Sequence, residues 1–140
     1  MIINAENLIL GRMSTVIAKK ALLGESIEVV NSEKAVIVGS KVNILENYLN
    51  RIRRGDTMYG PYFPRTPDRL VRRAIRGMLP HKQEKGKSAF KRIRCYIGVP
   101  EDLKDKKLET IDNAKLSKRH INYMTIKELS KYMGAKNYGS

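Results

Sequence analysis

The stretch that most constrains this chain is Thr66–Leu79. Leu70, Val71, Ala74, Ile75, Met78 and Leu79 recur at helical spacing. Arg69, Arg72, Arg73 and Arg76 fall on the opposite side, within an arc of about 100°. Thr66-Pro67 supplies an N-cap and a first-turn proline, and Pro80 ends the segment. A helix divided in this way has its apolar side on a core and its guanidinium side in solvent. A merely solubilising face interleaves acids with its bases, and here only Asp68 lies nearby. A helix lying on an anionic membrane would carry Trp or Phe on its apolar side, and that side is needed here for the core. Arginine offers a planar fork that grips phosphate oxygens in pairs and stacks on bases. The pattern points to nucleic acid.

The charge around the segment agrees. Residues 1–50 carry five bases and five acids, residues 51–94 fourteen bases and three acids, and residues 95–140 nine bases and six acids. The net charge of +14 is therefore concentrated in the middle third. Unbalanced charge of one sign repels itself unless a polyanion neutralises it. Arg51, Arg53 and Arg54 end the preceding helical pattern, where their charge also suits the helix dipole. Tyr59, Tyr62, Phe63 and Arg65 lie in a Gly/Pro-rich loop. Rings beside arginines suit stacking on unpaired RNA bases; equally, they plug the loop onto the domain. His81, Lys82, Lys85, Lys87, Lys91, Arg92 and Arg94 continue the basic run after Pro80.

The remaining pattern is α/β. Strands are expected at Ile2–Ala5, Ile27–Val30, Ala35–Val38 and Ile93–Ile97, and helices over Gly11–Gly24, from Ser40 to Gly55, and from Thr66 to Leu79. Thr125-Ile126-Lys127-Glu128 has capping-box spacing and opens a last short helix closed by Gly134. Alternating strands and helices imply a largely parallel sheet covered on both faces. One detail resists. Four residues, Asn31–Lys34, separate the second and third strands, too few for a parallel crossover. Either those strands are antiparallel or one of them is not a strand. Residues 55–65 and 81–92 hold Gly, Pro and uncompensated bases, and are expected to be extended and mobile until RNA orders them.

Several functions are disfavoured. With 41% apolar residues the chain has a core to build. No apolar run approaches the ~20 residues of a membrane span, and Met1–Ala5 lacks the basic start of a secretory leader. The lone Cys95 suits a reducing, cytoplasmic setting; its alternation with Ile93 and Ile97 marks a core thiol rather than a nucleophile. Gly86-Lys87-Ser88 mimics the end of a phosphate-binding loop, but His81 stands where the first glycine belongs. Cys95, His81 and His120 are too few and too scattered for a zinc site. No catalytic, cofactor or metal constellation and no small-molecule substrate is expected. A nucleotide-using enzyme would need a polar cluster near strand ends, and a helix-turn-helix DNA reader would need a partner helix where a 13-residue Gly/Pro loop stands.

Arg76-Gly77-Met78-Leu79-Pro80-His81-Lys82, then Gly86 and Ile93-Arg94-Cys95-Tyr96-Ile97-Gly98, closely resembles the L-thirteen family of large-subunit ribosomal proteins. Asn4-Ala5, Ile9-Leu10-Gly11-Arg12 and Val30-Asn31-Ser32-Glu33-Lys34-Ala35 are similar to it as well, and Gly60-Pro61-Tyr62 is similar to its archaeal and eukaryotic branch. Asn4 stands where many members have Asp. The resemblance covers residues 1–100 well and the tail more loosely. It implies a single three-layer α/β/α domain with a four-stranded, mostly parallel sheet over residues 1–100, extended by residues 101–140. It also implies a non-enzymatic protein that binds large-subunit ribosomal RNA, sits beside neighbouring large-subunit proteins, and supports assembly and translation.

Overall fold

The computed structural model describes residues 1–56 and 58–135. Three short strands, β1 (Ile2–Asn4), β2 (Ile27–Val30) and β4 (Ile93–Cys95), form a parallel sheet in the order β1-β2-β4. Ile3 pairs with Val29, and Val29 pairs with Cys95. Their β-branched residues suit strands buried on both faces: Ile3, Ile27, Val29 and Ile93 are fully buried. The crossover from β1 to β2 is helix α1 (Leu10–Leu22). It ends in a Schellman motif at Gly24 (φ +102°), where Gly24 N donates to Ala21 O (3.1 Å) and Glu25 N to Lys20 O (3.2 Å).

The sheet is not four-stranded. The third strand expected from the sequence, β3 (Val36–Val38), instead pairs antiparallel with β5 (Tyr123–Thr125), a strand unforeseen in the polar tail. This resolves the short Asn31–Lys34 link. Asn31 turns left-handed (φ 56°), Ser32–Lys34 form a single 3-10 turn, and the chain leaves the first sheet rather than crossing back. The tail is stitched to the N-terminal segment: Asn4 N donates to Glu109 O (2.9 Å), Ile9 N to Ala114 O (2.7 Å) and Leu116 N to Asn7 O (2.9 Å). Tail residues Met124, Ile126 and Leu129 share one core with Met13 and Ile17 of α1.

Helix α2 (Lys41–Arg53) is loosely held. Among its side chains Ile44 alone is buried, with Tyr48 and Ile52 partly so. Helix α3 (Pro67–Gly77) buries Leu70, Val71 and Ile75 in the core, as its apolar side requires. Residues 81–92 are not an extended segment. Helix α4 spans Glu84–Lys91, with Gly86 and Ala89 buried. A Cβ at Gly86 would overlap the Pro80 carbonyl, so glycine is what brings α4 against that turn. The bases there do not prevent folding because Lys85, Lys87 and Lys91 all point to solvent. Helix α5 (Ile126–Tyr132) begins with the expected capping box, Thr125 Oγ1 accepting from Glu128 N at 3.2 Å. No described helix is long and apolar enough to cross a membrane.

Candidate nucleic-acid interface

The site grows out of α3. Its apolar side is committed to the core, so Arg69, Arg72, Arg73 and Arg76 line one open cleft of about 410 Å³. The opposite wall is Tyr62-Phe63-Pro64, and Phe90 of α4 completes it. Among the described residues none of these arginines has an ion-pair partner; the ion pairs there join Lys34 to Glu6, Lys41 to Glu128 and Lys115 to Asp112. Burial, then the neighbouring Arg76 charge, pulls the Arg73 pKa below the usual arginine range. The guanidiniums crowd one another, the condition that bound phosphate relieves.

The four arginines are not equivalent. Arg72 sets its guanidinium carbon over the Phe90 ring, 3.8 Å from the centroid. Its Nε donates to Ile93 O (3.2 Å) and its Nη2 to Phe90 O (3.3 Å). It ties α3 to the junction of α4 and β4 while still lining the cleft. Arg73 approaches the Phe63 ring at 5.7 Å, and Arg51 approaches Tyr48 at 5.0 Å and Phe63 at 5.8 Å. Phe63 meets Tyr48 edge-on with centroids 6.2 Å apart. Phe63 therefore does plug the loop onto the domain. Tyr59 and Tyr62 do not: they are 86% and 68% exposed.

The Gly/Pro loop is closed rather than open. Asp56 and Gly60 exchange two backbone hydrogen bonds of 2.9 Å each, and Tyr62 OH donates to Met58 O at 2.6 Å. Gly55 has φ +84°, and a Cβ there would overlap Pro61 and the Gly60 carbonyl. A second cleft of about 460 Å³ shares Tyr62 and Phe63 with the first and is lined by Arg53, Arg54 and Arg65, with Asp56 beside them. A third, of about 610 Å³, shares Arg72 with the first and is lined by Lys91, Arg94, Cys95 and Tyr96.

Other expected contact residues serve two ends. Arg92 Nη1 donates to Ala21 O (3.0 Å) and holds its charge at the C-terminus of α1, where the helix dipole favours it. The Arg65 carbonyl accepts from Ser130 Oγ (2.6 Å). Lys82, Lys85 and Lys87 are exposed on and before α4, and His81 is half-buried beside Pro80. Phe90 and Tyr48 were not foreseen. Gly86, Ala89, Phe90 and Ile93 stand at helical spacing, the signal that would have found the first. Burial pushes the partly buried Cys95 thiol up to about 12, so it is protonated and unreactive at neutral pH. Among the described residues no group of three or more His, Cys, Asp or Glu is placed to hold a metal.

A small α/β domain gathers guanidiniums that have no ion-pair partner among the described residues, with exposed tyrosines beside them, around adjoining clefts, the kind of surface a polyanion would fit. The sequence model of "Ribosomal protein L13" matches residues 1–102. The chain is 46% identical over 136 residues to the large ribosomal subunit protein uL13 of Methanopyrus kandleri, covering 95% of this chain and 86% of that one. It is 47% identical over 135 residues to the protein of that name from Archaeoglobus fulgidus, at the same coverage. With the Methanosarcina barkeri protein, also uL13, the identity is 45% over 137 residues, covering 96% and 98%. This chain belongs to the ribosomal protein L13 family, in its archaeal type, and is a structural protein rather than an enzyme.

Proposed function

We propose that the chain binds large-subunit ribosomal RNA through the face built from α3, α4 and residues 53–65, and stays in the cytoplasmic large subunit as structural support. The observation that carries this is the set of four α3 arginines around one cleft without an ion-pair partner among the described residues. During assembly the RNA brings its own phosphates together against their repulsion. A rigid face of guanidiniums replaces diffuse counterions at that point, and the released counterions favour binding. Arg51, Arg53, Arg54, Arg65, Lys82, Lys85, Lys87, Lys91 and Arg92 extend the same field. Residues 1–100 and 101–140 act as one unit in this reading, because β5 and α5 share the core that holds α3 in place. Neighbouring large-subunit proteins are the second class of partner, and the exposed Val42 and Ile121 supply apolar contact for them.

The test is filter binding of the purified chain to protein-free large-subunit RNA across a salt series. Replacing Arg69, Arg73 and Arg76 by Gln should weaken binding and flatten the log–log salt slope by about 0.7–0.9 for each phosphate no longer neutralised. An unchanged slope overturns the reading.

A further inference from the structure

The three basic clefts adjoin one another through shared walls. Tyr62 and Phe63 line both the 460 Å³ and the 410 Å³ cleft. Arg72 lines both the 410 Å³ and the 610 Å³ cleft. We infer that the three clefts form one track for an unpaired RNA strand, whose bases stack on Tyr62 and Arg72 while its phosphates meet the flanking arginines. This rests on the RNA-binding reading and narrows it to single-stranded RNA.

Two features of the shared walls support it. Flat groups are shared by neighbouring clefts that arginines and lysines also line, and a strand can use both, since each nucleotide brings one phosphate and one ring. Tyr62 keeps 68% of its surface exposed, and its OH is held by Met58 O, which fixes the ring at the mouth of both clefts. Arg72 is fixed more firmly. Its guanidinium sits over Phe90, and two donors are engaged by Ile93 O and Phe90 O. A guanidinium already ordered loses little entropy when a base stacks on it. Each cleft falls in the range of about 300–1,000 Å³ typical of a site for one small organic group. An A-form duplex has no use for such clefts: its bases are stacked inside, and its deep, narrow major groove admits no side chains. Arg53, Arg54 and Arg65 serve one end of the track, Arg69, Arg73 and Arg76 the middle, and Lys91 and Arg94 the other end.

The experiment compares two probes at fixed salt: a short oligoribonucleotide carrying a fluorescent adenine analogue, and a blunt RNA duplex of equal charge. The full chain should bind the single strand more tightly and shift the emission of the analogue. Tyr62→Leu, at an exposed position, should weaken the single strand about tenfold, the lower half of what one stacked base contributes. It should leave duplex affinity and the salt slope unchanged. Arg72→Lys, which keeps the charge but not the plane, should lose the emission change in protein shown to be folded. Equal affinity for both probes with Tyr62→Leu neutral overturns the track and leaves the RNA-binding reading standing. Salt-dependent binding of neither probe overturns both.

Discussion

Arg72 and Arg69 sit on the same face of α3 one turn apart, yet their replacement should differ sharply in its effect on stability. Arg72→Gln removes two hydrogen bonds from a charged donor to Ile93 O and Phe90 O, of 3.2 and 3.3 Å. At those lengths and partial exposure each contributes about 1 kcal/mol, below the usual range of about 1.5–3 kcal/mol for charged donors. It also removes the guanidinium from the Phe90 face at 3.8 Å, an interaction of about 0.5–1 kcal/mol where partly exposed. The sum is a loss of about 2–3 kcal/mol, offset by a few tenths from relieved repulsion with Arg73 and Arg76. Among the described residues Arg69→Gln breaks no hydrogen bond, and its effect should lie within about 0.5 kcal/mol of zero. Urea unfolding followed by far-ultraviolet circular dichroism reads the difference. With a slope of about 1–3 kcal/mol per molar, the Arg72→Gln midpoint should fall by about 1–2 M, while the slope holds. The fall should persist in high salt, because hydrogen bonds and stacking are not screened as surface charges are. An Arg72→Gln protein as stable as Arg69→Gln, or one whose loss vanishes with salt, refutes the tie between α3 and the α4–β4 junction.

Three further outcomes follow from local geometry. Gly86→Ala should lower the thermal midpoint by the equivalent of about 1–3 kcal/mol, because the new methyl meets the Pro80 carbonyl; Gly11→Ala, with open space around it, should raise it by up to about 1 kcal/mol. Thr125→Ala should cost about 1 kcal/mol in denaturant unfolding, by leaving Glu128 N without its cap. Burial raises the pKa of both Cys95, to about 12, and Tyr48. The native state then holds protons that the unfolded state releases, so stability is full below about pH 9 and declines as pH rises. Cys95→Ala should delay that decline in alkaline unfolding scans.

How much of this was legible in the sequence depends on which force set each element. The α3 face was legible because one periodicity placed six apolar residues and four arginines on opposite sides, and the core enforced it. The Thr125 capping box was legible because capping is local in the chain. The partition of strands into two sheets was not. Val36–Val38 pairs with Tyr123–Thr125, and pairing between segments so far apart leaves no local trace. Helix α4 was hidden by Gly86, a loop signal by composition but in the fold the residue that permits close approach to Pro80. In the site, the basic residues were visible as charge. Their division of labour was not: Arg72 and Arg92 spend donors on backbone carbonyls of Ile93, Phe90 and Ala21, acceptors that only the folded chain brings near.

In the large subunit the face of α3 and α4, with residues 53–65, should lie against RNA. Ultraviolet cross-linking of purified large subunits containing this chain, with mass spectrometry of the RNA-linked peptides, tests it at residue level. Adducts should fall on Tyr59, Tyr62 and the peptides spanning Arg65–Arg94, and should be sparse on the exposed end of α1 around Leu22–Glu25. Adducts concentrated at that end of α1 or on α5, with α3 unmodified, would contradict the account.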